Sequence, residues 1–269
     1  MYKDRLARYT RSFVFMKPDY LVLFDDVEAR APEQCTWVFH AEGKDSFKGD
    51  GATVRIVRPK AELRMEVLAP SEPGRTVNPY PDRDASFIYL TDPLTARSSR
   101  FLAVLIPSSQ ANRGEREGWK IARVEGSGWT GAEISRGSET DLVLFKAAPL
   151  SAGNAPGGFT TDGDRIAATI GLDGALHRLW VRRASSCARN AGTIFTSTAT
   201  LTVSLEFRSN ELAASTEADS AAVFSPRVAY KPGAVYLNGK KTAFSYDRKT
   251  GSVAVSLPAG RNAISMNSR

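Results

Sequence analysis

Histidine is almost missing from this chain: His40 and His177 are the only two in 269 residues. Cysteine is as scarce, with Cys35 and Cys187 far apart. This excludes the paired-cysteine zinc modules and the disulfide frameworks of small secreted domains, so both thiols are read as free and buried. No apolar run approaches the ~20 residues of a membrane helix. The opening "MYKDRLARYTRSF" carries charge but no apolar stretch and no small-residue cleavage site, so no secretory signal is read there. P-loop, G-x-S-x-G and H-E-x-x-H patterns are all missing. "GSGWTG" has glycines but lacks the strand-to-helix setting of a dinucleotide site, and reads as a tight turn beside Trp129.

Charge is mildly unbalanced, with 36 Lys+Arg against 29 Asp+Glu, a net of +7. The basic residues are scattered, which argues against a nucleic-acid tail. The excess serves solubility or an anionic ligand such as an acidic polysaccharide.

What the chain has in plenty is period-two alternation. Leu63, Met65 and Val67 oppose Arg64 and Glu66. Leu201, Val203, Leu205 and Phe207 oppose Thr202, Ser204 and Glu206, and Val253, Val255 and Leu257 share one face. Such half-polar strands belong to antiparallel sheets. "RSFVFM" and "YLVLF" flank Lys17-Pro18-Asp19 as a hairpin, and "DDVEARAPEQ" reads as a crossing to the strand "CTWVFHAE". Asp173-Gly174 and Asn238-Gly239 mark two further hairpins. "APSEPGRTVNPYPDRDAS", "PSSQANRGEREG" and "APLSAGNAPGGFTTDGD" read as loops. No segment carries a helical stripe, Ser209–Ala222 coming nearest. The expected fold is all-β, a large antiparallel two-sheet sandwich of about fifteen strands. It would span residues 1–225, with a small β unit at 226–269.

Few residues are candidates for chemistry. His177, on a strand beside Arg178, Arg182 and Arg183, reads as a plain sheet residue. His40 ends a strand that opens into a loop, where ligands commonly meet a sheet, although a backbone hydrogen bond would also satisfy it. Asp25 and Asp26 are adjacent on a strand, point to opposite faces and cannot act on one bond together. The loop with Arg75, Tyr80 and Arg83 joins guanidinium groups to an aromatic ring and is the candidate substrate-binding stretch.

On "RSFVFMKPDYLVLFDDVEA", "TWVFH", "TTDGDRIAATIGLDGALHRLWV" and "VYLNGKKTAFSYDRKTGSVAVSLPAGRN" the chain resembles the C-terminal β portion of the heparinase II/III-like polysaccharide lyases. The resemblance implies a supersandwich-like fold that accompanies an N-terminal α/α toroid. It implies β-elimination on uronate-containing polysaccharides, and a periplasmic or extracellular setting. It also implies a structural zinc, for which His40 resembles one ligand. The toroid, the family's catalytic histidine and the other zinc ligands have no counterpart here. The chain is therefore expected to be the sandwich part of a lyase, inactive alone, with the toroid and an acidic polysaccharide as partners. The alternative is a stand-alone carbohydrate-binding or structural sandwich. Neither nucleic acid nor a membrane is expected as a partner.

Overall fold

The computed structural model describes residues 4–44, 46–109, 111–147 and 154–268. The fold is all-β and antiparallel, of the sandwich class, with two large sheets of seven and fourteen strands. The chain divides into two compact units. One holds residues 1–123 and 131–136, the other residues 124–130 and 137–269.

In the first unit, β1 (Leu6–Met16), β2 (Tyr20–Glu42), β3 (Phe47–Lys48), β4 (Thr53–Val57), β5 (Ala61–Ala69), β6 (Gly74–Pro79) and β7 (Ala85–Ser109) form one sheet. Its order is β1-β2-β7-β5-β4-β3, with β6 paired to the outer part of β7. The Lys17-Pro18-Asp19 turn forms as expected, pairing Met16 with Tyr20 and running in register to Arg11 opposite Asp25. The core gathers Leu23, Trp37, Phe47, Val54, Met65, Val67, Ile88, Leu90, Phe101 and Ala103.

Three readings of the chain need correction here. "DDVEARAPEQ" is no crossing: β2 runs through it as one strand, and a register shift against β7 between Glu28 and Glu33 takes up Ala31 and Pro32. A bulge is where a sheet tolerates a proline that has no N–H to donate. "ASFIYLTD" and "RFLAVLIP" likewise join into the single strand β7. The Pro- and Arg-rich stretch after Ala69 contains β6, which tolerates prolines at its ends because it pairs only with β7.

A five-residue helix, α1 (Arg113–Glu117), interrupts the polar loop after β7. Arg116 on it donates to the Asp19 carbonyl at 3.0 Å and to Oδ1 of Asp19 at 3.1 Å. This ties the helix to the first hairpin.

The second unit is built on neighbouring strands Glu139–Lys146, Arg165–Gly171, Leu176–Arg189, Gly192–Arg208, Glu211–Ala218 and Gly260–Asn267. Leu201, Val203 and Leu205 are buried as their alternation requires, as are Val253, Val255 and Leu257. The stretch nearest to a helix in pattern contains the strand Glu211–Ala218. It has no apolar stripe at helical spacing, and its neighbours on both sides are strands. After residue 226, Ala234–Leu237 pairs with Gly260–Asn267, which pairs in turn with Glu211–Ala218. Asn238-Gly239 turns with both residues at positive φ, at 51° and 77°, as a two-residue hairpin demands. Part of the expected loop after Ala147, residues 148–153, lies outside the described residues, and Phe159–Thr161 within it is a strand.

Candidate functional site

Alternation along β2 and β7 divides their residues between two environments. Trp37, Ile88 and Leu90 are buried, whereas Val38, His40 and Tyr89 are exposed. Cross-strand pairing places His40 opposite Phe87, Val38 opposite Tyr89 and Thr36 opposite Thr91. Beyond β6 the chain turns back at once, with the Tyr80 amide donating to the Ala85 carbonyl at 2.9 Å. That turn lays Tyr80 and Arg83 against the exposed row.

The result is a compact cluster. The Tyr80 hydroxyl lies 2.7 Å from Nδ1 of His40, and the histidine tautomer decides which of the two donates. The two rings stack with centroids 6.0 Å apart. The Arg83 guanidinium lies over the Tyr80 ring at 3.9 Å, within the range of a cation–π contact. Phe87 packs on Tyr80 and on Tyr89, each at 5.1 Å. A guanidinium fork, a phenol and an imidazole thus meet on one exposed sheet face. Together they supply a bidentate partner for a carboxylate, a stacking surface and a pair of groups able to pass a proton.

Of the sequence-predicted site residues, Tyr80, Arg83 and His40 come together. Arg75 does not join them. Its side chain reaches back to β3 and the following turn, donating to the carbonyls of Lys48, at 3.0 Å, and Gly49. It serves there as a clamp between β6 and that turn. His177 sits 3.1 Å from Oε1 of Glu139, which lies two strands away across Arg165–Gly171.

A zinc site was implied through His40. Among the described residues no group of three or more His, Cys, Asp or Glu side chains is placed to hold a metal ion. With Nδ1 engaged by Tyr80, His40 offers one nitrogen where a structural zinc takes four ligands.

A second constellation was not singled out from the sequence. Asp25, only 1% exposed, accepts from Nε and Nη2 of Arg11 at 2.8 and 2.7 Å. It also accepts from the Tyr9 hydroxyl at 3.0 Å and from the Trp37 indole N–H at 2.6 Å. Burial, then the adjacent Asp25 charge, pushes the Tyr9 phenol up to about 12. The Asp25 hydrogen bond raises the Arg11 guanidinium above its ordinary value. Asp26 points the other way, toward Arg8 at 2.8 Å, so the two carboxylates do diverge. The signal for Arg11 and Asp25 was present in the hairpin, since counting outward from its turn sets them opposite one another.

No family model matches the chain, and no curated protein matches it. Among solved structures, the chain is similar to the chondroitin AC lyase of Streptomyces coelicolor A3 in complex with chondroitin sulphate. The TM-score is 0.47 and the identity 9%, over 96% of this chain and 32% of the lyase. The chain thus spans about a third of that lyase's length.

Proposed function

We propose that this chain is the β-sandwich part of a polysaccharide lyase. In this reading it holds uronate-containing acidic polysaccharide on the exposed face of β2 and β7. The observation that carries the reading is the His40–Tyr80–Arg83 cluster, with its 2.7 Å Tyr80–His40 contact and the guanidinium stacked on the phenol. The net charge of +7 agrees with an acidic polymer as ligand.

β-Elimination from a uronate requires three events. The carboxylate is neutralised, the proton on the adjacent carbon is removed, and the departing sugar oxygen is protonated. Arg83 supplies the first by bidentate pairing. His40 and Tyr80 place a proton donor and acceptor beside it. The elimination itself belongs to a larger protein, in which an α/α toroid, in the same or a separate chain, closes over the sandwich. The sandwich alone binds the polymer without cutting it. The setting is periplasmic or extracellular, where such polymers occur.

Calorimetry with uronate oligosaccharides tests the reading. Saturable binding is expected, weakened roughly tenfold by Arg83→Ala and by a rise in salt. If no acidic glycan binds the wild-type chain, the reading fails. Ultraviolet absorbance of an unsaturated product, appearing with this chain alone, would overturn the claim that it does not cleave.

A further inference from the structure

Half of one strand in the first unit has a single neighbour. β1 pairs with β2 only as far as Ala29. The last backbone bond on that side, among the described residues, is the Arg30 amide donating to the Arg5 carbonyl at 2.8 Å. Across residues 33–42, β2 pairs with β7 alone among the described residues. A groove of about 550 Å³ borders this free side, and residues 33–38 line it without a gap. A sheet face presents only alternate residues. An unbroken run of six means that the groove opens on the edge of the strand, where unpaired N–H and C=O groups point outward.

The other edges of this sheet are blunted against strand addition. β3 has two residues, β6 ends in Pro79 and carries the clamped Arg75, and β1 carries Arg8 and Arg11. The free part of β2 has no such device. Its residues 34–41, "QCTWVFHA", include no proline and no Asp, Glu, Lys or Arg. Val38, in the middle, is 45% exposed.

The edge is complementary to itself. Two antiparallel copies of residues 34–42, related by a two-fold axis at Val38, set Gln34 opposite Glu42, Thr36 opposite His40 and Val38 opposite Val38 on the exposed face. On the other face Trp37 meets Phe39 and Cys35 meets Ala41. No like charges face each other, and an aromatic pair forms twice. Such a ladder makes about eight to ten backbone hydrogen bonds, as many as a typical protein interface. A shift of register shortens it. We propose that the chain pairs with a second copy of itself through this edge of β2, in a closed two-fold dimer. The strand order β6-β7-β2 of one copy then continues into β2-β7-β6 of the other. The two His40–Tyr80–Arg83 clusters share one continuous face, each His40 beside Thr36 of the second copy. The pairing rests on the edge alone and stands whether or not that face binds polysaccharide.

Sedimentation of the full chain over a range of concentrations reads its mass, one chain being 29.2 kDa. A dimer is expected. Val38→Lys sets two ammonium groups opposite one another at the axis and should weaken the dimer about tenfold or more, whereas Val38→Thr should leave it intact. Gln34→Lys, facing Glu42 of the second copy, should tighten the dimer and Gln34→Glu loosen it, each about threefold. Val38→Cys should cross-link to its own mate under mild oxidation, read on a non-reducing gel. Gln34→Cys should not, because its two positions lie at opposite ends of the ladder. Cross-linking is a gained signal, so it keeps the test decisive if Val38→Lys misfolds. The mass of one chain at every concentration up to about 100 μM would overturn the proposal. So would a dimer that Val38→Lys leaves unchanged, or cross-linking as efficient in Gln34→Cys as in Val38→Cys.

Discussion

Asp25 shows how much one side chain can organise. Four donor atoms from Tyr9, Arg11 and Trp37 converge on a carboxylate that water barely reaches. Asp25→Ala leaves the buried Trp37 N–H without its acceptor and frees Arg11. A loss of about 2–3 kcal/mol is expected, below that of a fully enclosed ion pair because Arg11 is half exposed. The urea midpoint measures it, and an unchanged midpoint would show that the network carries no stability. Tyr9 gives a pH signature. Its folded value lies near 12 against 10 for the free phenol, so the native state holds a proton that the unfolded chain gives up first. The contribution is intact below pH 10 and drains away as the pH rises toward 12. Stability curves across that window should fall more gently for Tyr9→Phe than for wild type. Parallel curves would contradict the assignment.

Elements were legible in the sequence where local chemistry decides them, and illegible where a distant partner does. The first hairpin and the Asn238-Gly239 turn follow from their turn residues, and the buried rows at Leu201 and Val253 from alternation. The continuity of β2 and of β7 was hidden because Pro32 and Pro93 look like breaks. Only the opposing strand shows that a bulge absorbs them or that the ladder continues past them. Part of the site was visible for the same reason. His40 stood out by rarity and Tyr80 with Arg83 by composition, but their convergence depends on β6, which reads as loop until β7 is there to pair it. Arg75 was indistinguishable from Arg83 by residue type, and only its bonds to carbonyls separate them.

The turn between β3 and β4 offers a test at this scale. Gly49 and Gly51 both have positive φ, at 88° and 51°. A Cβ on Gly49 would fall 2.5 Å from the Thr53 carbonyl oxygen, whereas one on Gly51 meets nothing within 4 Å. Gly51→Ala should cost about 1 kcal/mol from backbone conformation alone. Gly49→Ala should cost clearly more, because backbone must move and the Arg75 clamp moves with it. Thermal melts of the two variants check this, and equal shifts would refute the packing argument.

For the molecule as a whole, the two thiols report separately on the two units. Both are free, Cys187 in the second unit at 1% exposure and Cys35 half-buried in the first. Burial, with Asp162 nearby, pushes the Cys187 thiol up to about 12, and burial raises Cys35 as well. Alkylation of the native protein at neutral pH should therefore spare Cys187 and modify Cys35 slowly, with two adducts appearing once denaturant is added. Mass spectrometry counts them, and fewer than two adducts after unfolding would mean that the thiols are not free.

The pairing of β2 with β7 also sets an order of events during synthesis. β1 and β2 are joined by a tight turn and can zip as soon as Tyr20–Glu42 has left the ribosome. β7 begins at Ala85, some forty residues after β2 ends, so at ~5–20 residues per second its arrival is delayed by several seconds. Throughout that delay the far edge of a 23-residue strand stands open to other nascent chains. Asp25, Asp26, Glu28, Arg30 and Glu33 punctuate that strand with charge. Charged side chains along a waiting edge disfavour its pairing with a neighbour while β7 is still being made.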